Sequence, residues 1–410
     1  MVASVIPLKC SCNNYDWGKR GGESLAARLA QKHNPEFKLD DGTDYSEMWT
    51  GTYPELPAYS LESGEDLQQI INANTEKLLG KPILDKFGTN LPFLPKILSI
   101  KKALPLQIHP SIPLAKKLHQ EDPEKFSDEN HKPEIAIALS KFELFVGWKP
   151  PSEIRSLFSL PPLHHFVSPS TSTFDESTLR SITHSILTAP EATIASVQTG
   201  LSSLPKSSFG SNAYILDLLP RLQAMYSKSD PGALIALLCM NYLVLSPGDA
   251  LFVPEDGIHA YLEGDLVECM ARSNNMLATG FCPKADRDNV EVFTNALTFK
   301  QQGADAPKLG SVRSEKSKNG KTKAFKPPMS EFQMLVTELK EGETETVSEI
   351  KGPSVMMVVR GNGIMNAEGK EFDAKEGSVF FIGQGVQVEL EGKGKGDEGD
   401  AFQAYRAYAE

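Results

Sequence analysis

Gly248-Asp-Ala-Leu-Phe-Val-Pro-Glu-Asp-Gly-Ile-His259 reads as a turn glycine, a buried strand, a second turn and the start of another strand. Gly377-Ser-Val-Phe-Phe-Ile-Gly-Gln-Gly-Val-Gln387 repeats that rhythm and is one residue shorter. The two copies differ in their last residue. The first ends in an imidazole, the second in an amide with no histidine nearby. A repeated strand-turn-strand unit predicts two β parts, of which only the first is equipped to hold a metal.

Outward from these segments, the runs 94–100, 104–109 and 135–148 are alternating or apolar and are broken by Pro and Gly, as strands with long loops would be. Between 151 and about 240 the period lengthens: Ile154, Leu157 and Phe158, then Leu179, Ile182 and Ile186, recur at helical spacing. Ser152 and Asp175 stand where a side-chain oxygen can cap the first two of these segments. The 233–245 stretch, ALIALLCMNYLVL, is shorter than the ~18 residues a spanning helix needs and contains Asn241, so it reads as a core helix running into a strand. Residues 301–328 are polar, basic and rich in Gly, Ser and Pro, as in a linker or mobile flap. The expected division is 1–150 plus 241–300 as a metal-binding catalytic domain, 151–240 as an inserted helical domain, 301–328 as linker or flap, and 329–410 as a metal-free β domain.

The 410 residues carry 42 Lys plus Arg against 53 Asp plus Glu, a formal charge of −11. Such a balance offers no field to hold nucleic acid or an anionic membrane, so an anionic ligand must be small and held locally. The N-terminus lacks a basic stretch followed by an apolar one, and five cysteines suit neither a disulfide framework nor an oxidising compartment. A cytoplasmic chain is expected, and a monomer, since there are no heptads or long exposed apolar helix. Only eight histidines exist, the last being His259. In Leu106-Gln107-Ile108-His109-Pro110, strand alternation puts Gln107 and His109 on one face. Glu134 opens Glu134-Ile-Ala-Ile-Ala-Leu, where Ala136 and Ala138 share its face and leave room for an ion or ligand. With His259 these residues supply a carboxylate, two imidazoles and an amide oxygen, a set that favours Zn²⁺ over Mn²⁺, Fe²⁺ or Co²⁺. The other histidines have no ligand spacing to one another, and Cys10-x-Cys12 lacks a second pair.

The paired segments resemble the second half of a cupin barrel, a small double-sheet jelly roll. That resemblance implies a mainly β chain with an inserted α-helical domain and tandem cupin barrels, only the first carrying a metal. Longer motifs extend it. Asn14-Tyr15-Asp16-Trp17-Gly18, Glu47-Met48-Trp49 with Gly51-Thr52, Leu94-Pro95-Lys96-Ile97-Leu98 and Gln107-Ile108-His109-Pro110 follow in order. Phe126-Ser-Asp-Glu-Asn-His-Lys-Pro-Glu134 and His259-Ala-Tyr-Leu-Glu-Gly-Asp-Leu-Val-Glu268-Cys-Met-Ala-Arg-Ser-Asn-Asn275 come next. Over nearly its whole length the chain resembles the type I mannose-6-phosphate isomerase family.

The resemblance implies one Zn²⁺ per chain on Gln107, His109, Glu134 and His259. It also implies interconversion of mannose 6-phosphate and fructose 6-phosphate through an enediol, feeding GDP-mannose and glycosylation. Glu268 is the first candidate for the base, with Lys132 to stabilise or relay charge. Lys96 and Lys284 match basic positions near the sugar phosphate, while Trp17, Glu47 and Tyr261 shape the pocket; His131 is structural support. Two departures stand out: Pro105 replaces a serine beside the ligands, and Ala278 replaces an arginine. No methyl imitates a guanidinium. Arg272, at an even offset from Ala278, is the expected substitute, with the lysines of 316–323 as another source. The competing readings are a sugar-phosphate-binding paralogue without turnover or with altered specificity, and an iron-dependent cupin oxygenase.

Overall fold

The computed structural model describes residues 2–168, 170–171, 173–329, 331–394 and 401–410. Its spine is the strand His259–Ala271, which pairs with Phe93–Ile100 and Glu134–Ala138 along its second half and with Phe142–Trp148 and Leu106–Ile108 at its start. Gly264 sits where the partners change. Its φ of +137° and the 2.6 Å that would separate a Cβ from the Lys141 carbonyl oxygen restrict this corner to glycine. Ala250–Val253, from the quoted segment, pairs antiparallel with Glu134–Ala138, and Leu277–Gly280 pairs with Leu106–Ile108. Ten strands make this sheet, whose main path runs from Met240–Leu245 to Ser11–Asn13.

A second sheet of eight strands runs in the order Ser311–Arg313, Thr322–Phe325, Gln333–Leu339, Phe402–Tyr408, Ser354–Arg360, Val379–Ile382, Val5–Lys9, Tyr59–Ser60. Four further strands, Thr344–Val347, Val388–Gly392, Asn362–Ala367 and Lys370–Lys375, form a smaller sheet. Two strands therefore lie within 301–328, and the N-terminal strand Val5–Lys9 belongs to the sheet built mostly by the C-terminal part.

These sheets correct the expected architecture. The fold is mixed α/β, and among the described residues no sheet closes into a barrel, so tandem cupin barrels do not describe it. The eight-stranded sheet keeps two edges, at Ser311–Arg313 and Tyr59–Ser60. The glycine-strand rhythm encodes a local turn and cannot specify what pairs with the strand. Val379–Ile382 is flanked by Ser354–Arg360 on one side and by the distant Val5–Lys9 on the other, so the path runs on to an edge. Helices also lie outside the insert, at Leu25–His33, Leu67–Ala73, Thr75–Leu79, Lys81–Phe87, Ile112–Glu121 and Val290–Ala296.

Between 151 and 240 the helices are Pro151–Phe158, Glu176–Thr188, Glu191–Ser202, Ile215–Met225 and Gly232–Cys239. Asp175 caps the second by accepting from the Thr178 N–H at 2.9 Å, whereas Ser152 lies inside the first. The apolar stretch after residue 232 is a helix that passes directly into the strand Met240–Leu245. The helices bury Ile154, Leu157, Ile182, Ile186, Leu219 and Ile235 in one core with Ile108, Phe145, Trp148, Ala260 and Leu277 from the strands. Each large apolar side chain so buried stabilises the fold by about 1.5–3 kcal/mol. This core supports the strand ends that carry Gln107 and His259. No helix among the described residues is long and apolar enough to cross a membrane.

Candidate metal centre

Local register brings the expected ligands together. Gln107 lies in the strand Leu106–Ile108 directly opposite His259, the first residue of the long strand. Glu134 begins Glu134–Ala138 and faces Met270 on one side and Val253 on the other. His109 directly follows its strand. Among the described residues, His109, Glu134 and His259 are the one His/Cys/Asp/Glu group that meets ligand geometry, with candidate donor atoms within 4.8 Å of one another. Glu134 Oε1 is 3.2 Å from His109 Nε2, and Glu134 Oε2 is 3.7 Å from His259 Nε2. All three are buried.

The donor chemistry fits a metal. His109 Nδ1–H donates to the Asn275 carbonyl at 2.9 Å and His259 Nδ1–H to the Gly257 carbonyl at 3.0 Å. Each bond fixes the tautomer and turns a lone pair on Nε2 toward Glu134. Both Nε2 atoms are buried and accept no hydrogen bond, a cost that a bound cation removes. Burial lowers both imidazole pKa values, that of His259 to about 4, so both stand neutral, as ligation requires. Burial pushes the Glu134 carboxyl up, but the group is held well below its ordinary value and stays ionised beside the Lys132 ammonium, 3.5 Å away.

In front of this cluster lies a cavity of about 370 Å³ lined by Trp17, Glu47, Lys96, Gln107, Lys132, Glu134, Tyr261 and Glu268. Eight expected residues thus share one wall. Lys96 lies across from Glu268 in the adjacent strand, its Nζ 3.5 Å from Glu268 and 3.7 Å from Glu47. Burial, followed by the charge of Glu134, raises the Glu268 pKa to about 8, with Lys96 and Lys132 opposing. Lys132 Nζ is 3.5 Å from Glu134, and the Tyr261 hydroxyl donates to Glu134 at 3.4 Å.

Two expected residues lie elsewhere. Arg272 donates to the Thr52 hydroxyl at 3.0 Å, rests 4.6 Å over the Tyr53 ring and lines a different cavity. Lys284 lines an adjoining one and pairs with Glu191 at 3.3 Å. His131 bridges Glu255 at 2.6 Å and Glu331 at 2.8 Å.

Other residues of the site were not read from the sequence. Trp49 donates to Glu47 at 2.6 Å and lies 4.7 Å under the Lys96 ammonium, fixing both, and Tyr15 stacks on Trp17 at 5.7 Å. Both sit inside quoted motifs, and for Trp49 the available signal was an aromatic residue one strand repeat from the charged Glu47. Asn275 had none, because its role is exercised through its backbone carbonyl.

A buried two-imidazole, one-carboxylate donor set, opening on a pocket with a carboxylate of raised proton affinity, defines a mononuclear metalloenzyme of the acid–base kind. The family model for the phosphomannose isomerase type I catalytic domain matches residues 5–151. The chain is 34% identical to the mannose-6-phosphate isomerase of Ogataea parapolymorpha over 97% of this chain and 96% of that protein. It is 35% identical to that of Saccharomyces cerevisiae over 100% of both. A crystal structure of zinc-bound mannose 6-phosphate isomerase shares the fold, with TM-score 0.81 at 23% identity over 100% of both chains. The chain belongs to the type I mannose-6-phosphate isomerase family.

Proposed function

We propose that this chain is a zinc-dependent aldose–ketose isomerase that interconverts mannose 6-phosphate and fructose 6-phosphate. The observation that carries the reading is the pair of unpartnered imidazole Nε2 atoms aimed at Glu134, in a pocket shared with Glu268. Gln107, His109, Glu134 and His259 would hold the zinc, which when bound supplies a Lewis acid for an oxygen gaining negative charge.

The remaining chemistry belongs to side chains of this chain. Isomerisation removes a proton from C2 of the open-chain aldose and returns one to C1, passing through an enediol. Glu268, in its ionised form, takes that proton on its carboxylate and delivers it again; the burial that raises its proton affinity makes the carboxylate a stronger base than an exposed one. Lys96 holds Glu268 in place, with Glu47 and Trp49 behind it. Lys132 stabilises charge on the substrate oxygens or relays a proton between them, from its seat beside Glu134. Trp17, Glu47 and Tyr261 shape the pocket and keep bulk water from the reacting carbons. One chain contributes every proposed zinc ligand, consistent with a monomer, and five buried free cysteines suit a reducing cytoplasm.

Metal analysis with a coupled assay for fructose 6-phosphate tests the reading. One zinc per chain with turnover supports it. Zinc without turnover assigns the chain to the binding-paralogue reading that Ala278 raises, and iron with oxygen consumption defeats both.

A further inference from the structure

The metal pocket is acidic on its own account. Its wall carries Glu47, Glu55, Glu134 and Glu268 against Lys96 and Lys132, and each lysine stands 3.5 Å from one of these carboxylates. With two cations for four carboxylates, this wall disfavours the dianionic end of a sugar phosphate. A second cavity, of about 660 Å³, shares Trp17, Pro105 and Met276 with the first and is lined by three cations, Lys102, Lys284 and Arg287, against four carboxylates, Asp16, Glu191, Asp230 and Asp286.

These cations are not equivalent. Lys102 is tied to Asp16 at 2.6 Å and lies over the Tyr226 ring. Lys284 has a side chain 78% exposed, where its charge is screened by water. Arg287 is only 20% exposed and rests on Asp230, which is 3% exposed, at 2.9 Å. Asp230 is itself pinned, because its Oδ1 accepts from the N–H groups of Gly232 at 2.8 Å and Phe281 at 3.2 Å. One guanidinium nitrogen, Nη2, donates to Asp230 and, at 3.5 Å, to the Cys282 carbonyl, while Nε is buried without a partner. The neighbouring residue sets the height of the group. Asp288 exchanges two hydrogen bonds of 2.7 Å with the backbone of Ala278, docking this segment against a residue that contributes only a methyl to the cavity wall.

We infer that Arg287, positioned by Asp230, binds the phosphate group of the substrate in this adjoining cavity, leaving the sugar carbons to reach Glu268. The inference rests on the isomerase reading for the identity of the anion, while the site itself is a preorganised planar fork for a phosphate-like ligand.

The test uses zinc-loaded, full-length protein, with inorganic phosphate as probe in titration calorimetry and mannose 6-phosphate in steady-state kinetics. Arg287→Gln is expected to weaken inorganic phosphate binding and raise KM at least tenfold, with kcat changed less than threefold. Arg287→Lys keeps a charge on Asp230 but not the fork, and is expected to fall between the two. A purely structural latch would lower the melting temperature without moving phosphate affinity. Phosphate affinity within twofold of wild type in either folded variant overturns the inference. Should Arg287→Gln fail to fold, Arg287→Lys decides by the same criterion. Arg287-dependent phosphate binding in a wild type that shows no isomerisation defeats the isomerase reading and leaves this site standing.

Discussion

Replacing Glu268 by Gln separates catalysis from stability, because the structure assigns the carboxylate a benefit to one and a cost to the other. The side chain is buried between Lys96 and the field of Glu134, and its proton affinity is raised from an ordinary value of 4.5 to about 8. A general base contributes roughly 10²–10⁴-fold to a rate, so Glu268→Gln should lose that much kcat, about 3–5 kcal/mol of barrier. The zinc ligands are untouched, and Lys96 keeps Glu47 at 3.7 Å, so fold and metal content should persist. Stability moves the other way. Between pH 4.5 and about 8 the folded protein holds a proton that the unfolded chain has released, so this group erodes stability as pH rises through that window. Each tenfold difference in proton affinity between the two states is worth about 1.4 kcal/mol, and the erosion amounts to a few kcal/mol in the metal-free protein. Chelated Glu268→Gln should therefore melt above chelated wild type at pH 8.5 and alongside it near pH 5. Turnover within tenfold of wild type, or lost turnover together with a lower melting temperature at pH 8.5, would show that Glu268 is a structural partner of Lys96 and not the base.

Three further substitutions probe the supports around the site. Asn275→Ala removes side-chain donors to the Asp128 carbonyl at 2.7 Å and the Asn130 carbonyl at 3.0 Å, loosening the carbonyl that orients His109. Zinc affinity, read by chelator competition, should fall 10–100-fold. His131→Gln removes a cation held between Glu255 and Glu331, whose bonds raise the imidazole pKa against the opposing effect of burial. The contribution, on the order of 1 kcal/mol after solvent screening, is present in full below pH 6.5 and lost as pH rises through the raised value, so the melting difference from wild type should vanish at high pH. Arg272→Ala should destabilise by about 1–2 kcal/mol through the Thr52 bond and the Tyr53 ring, with KM within threefold of wild type. A tenfold rise in KM would return Arg272 to the substrate.

Short-range pattern made the ligands legible and left the charges around them obscure. Gln107 and His109 are two apart, the second just past the end of its strand, and Glu134 precedes two alanines, so short-range pattern brings them to one site; each inference needs only its own segment. Arg272 lies at an even offset from Ala278, and alternation does not reach that far. The strand ends at Ala271 and the next begins at Leu277, with a turn between that sends the two positions into different cavities. The sheets went astray for a related reason. The Gly248 and Gly377 segments share a local rhythm, but whether a strand meets a partner that closes the sheet depends on chain hundreds of residues away, and here Val5–Lys9 claims the edge of Val379–Ile382. Periodicity reports which way a side chain points and says nothing of what lies opposite. Site chemistry built from one strand can thus be read directly, whereas a cation such as Arg287, whose meaning comes from Asp230 across 57 residues of chain, emerges only once the fold has brought them together.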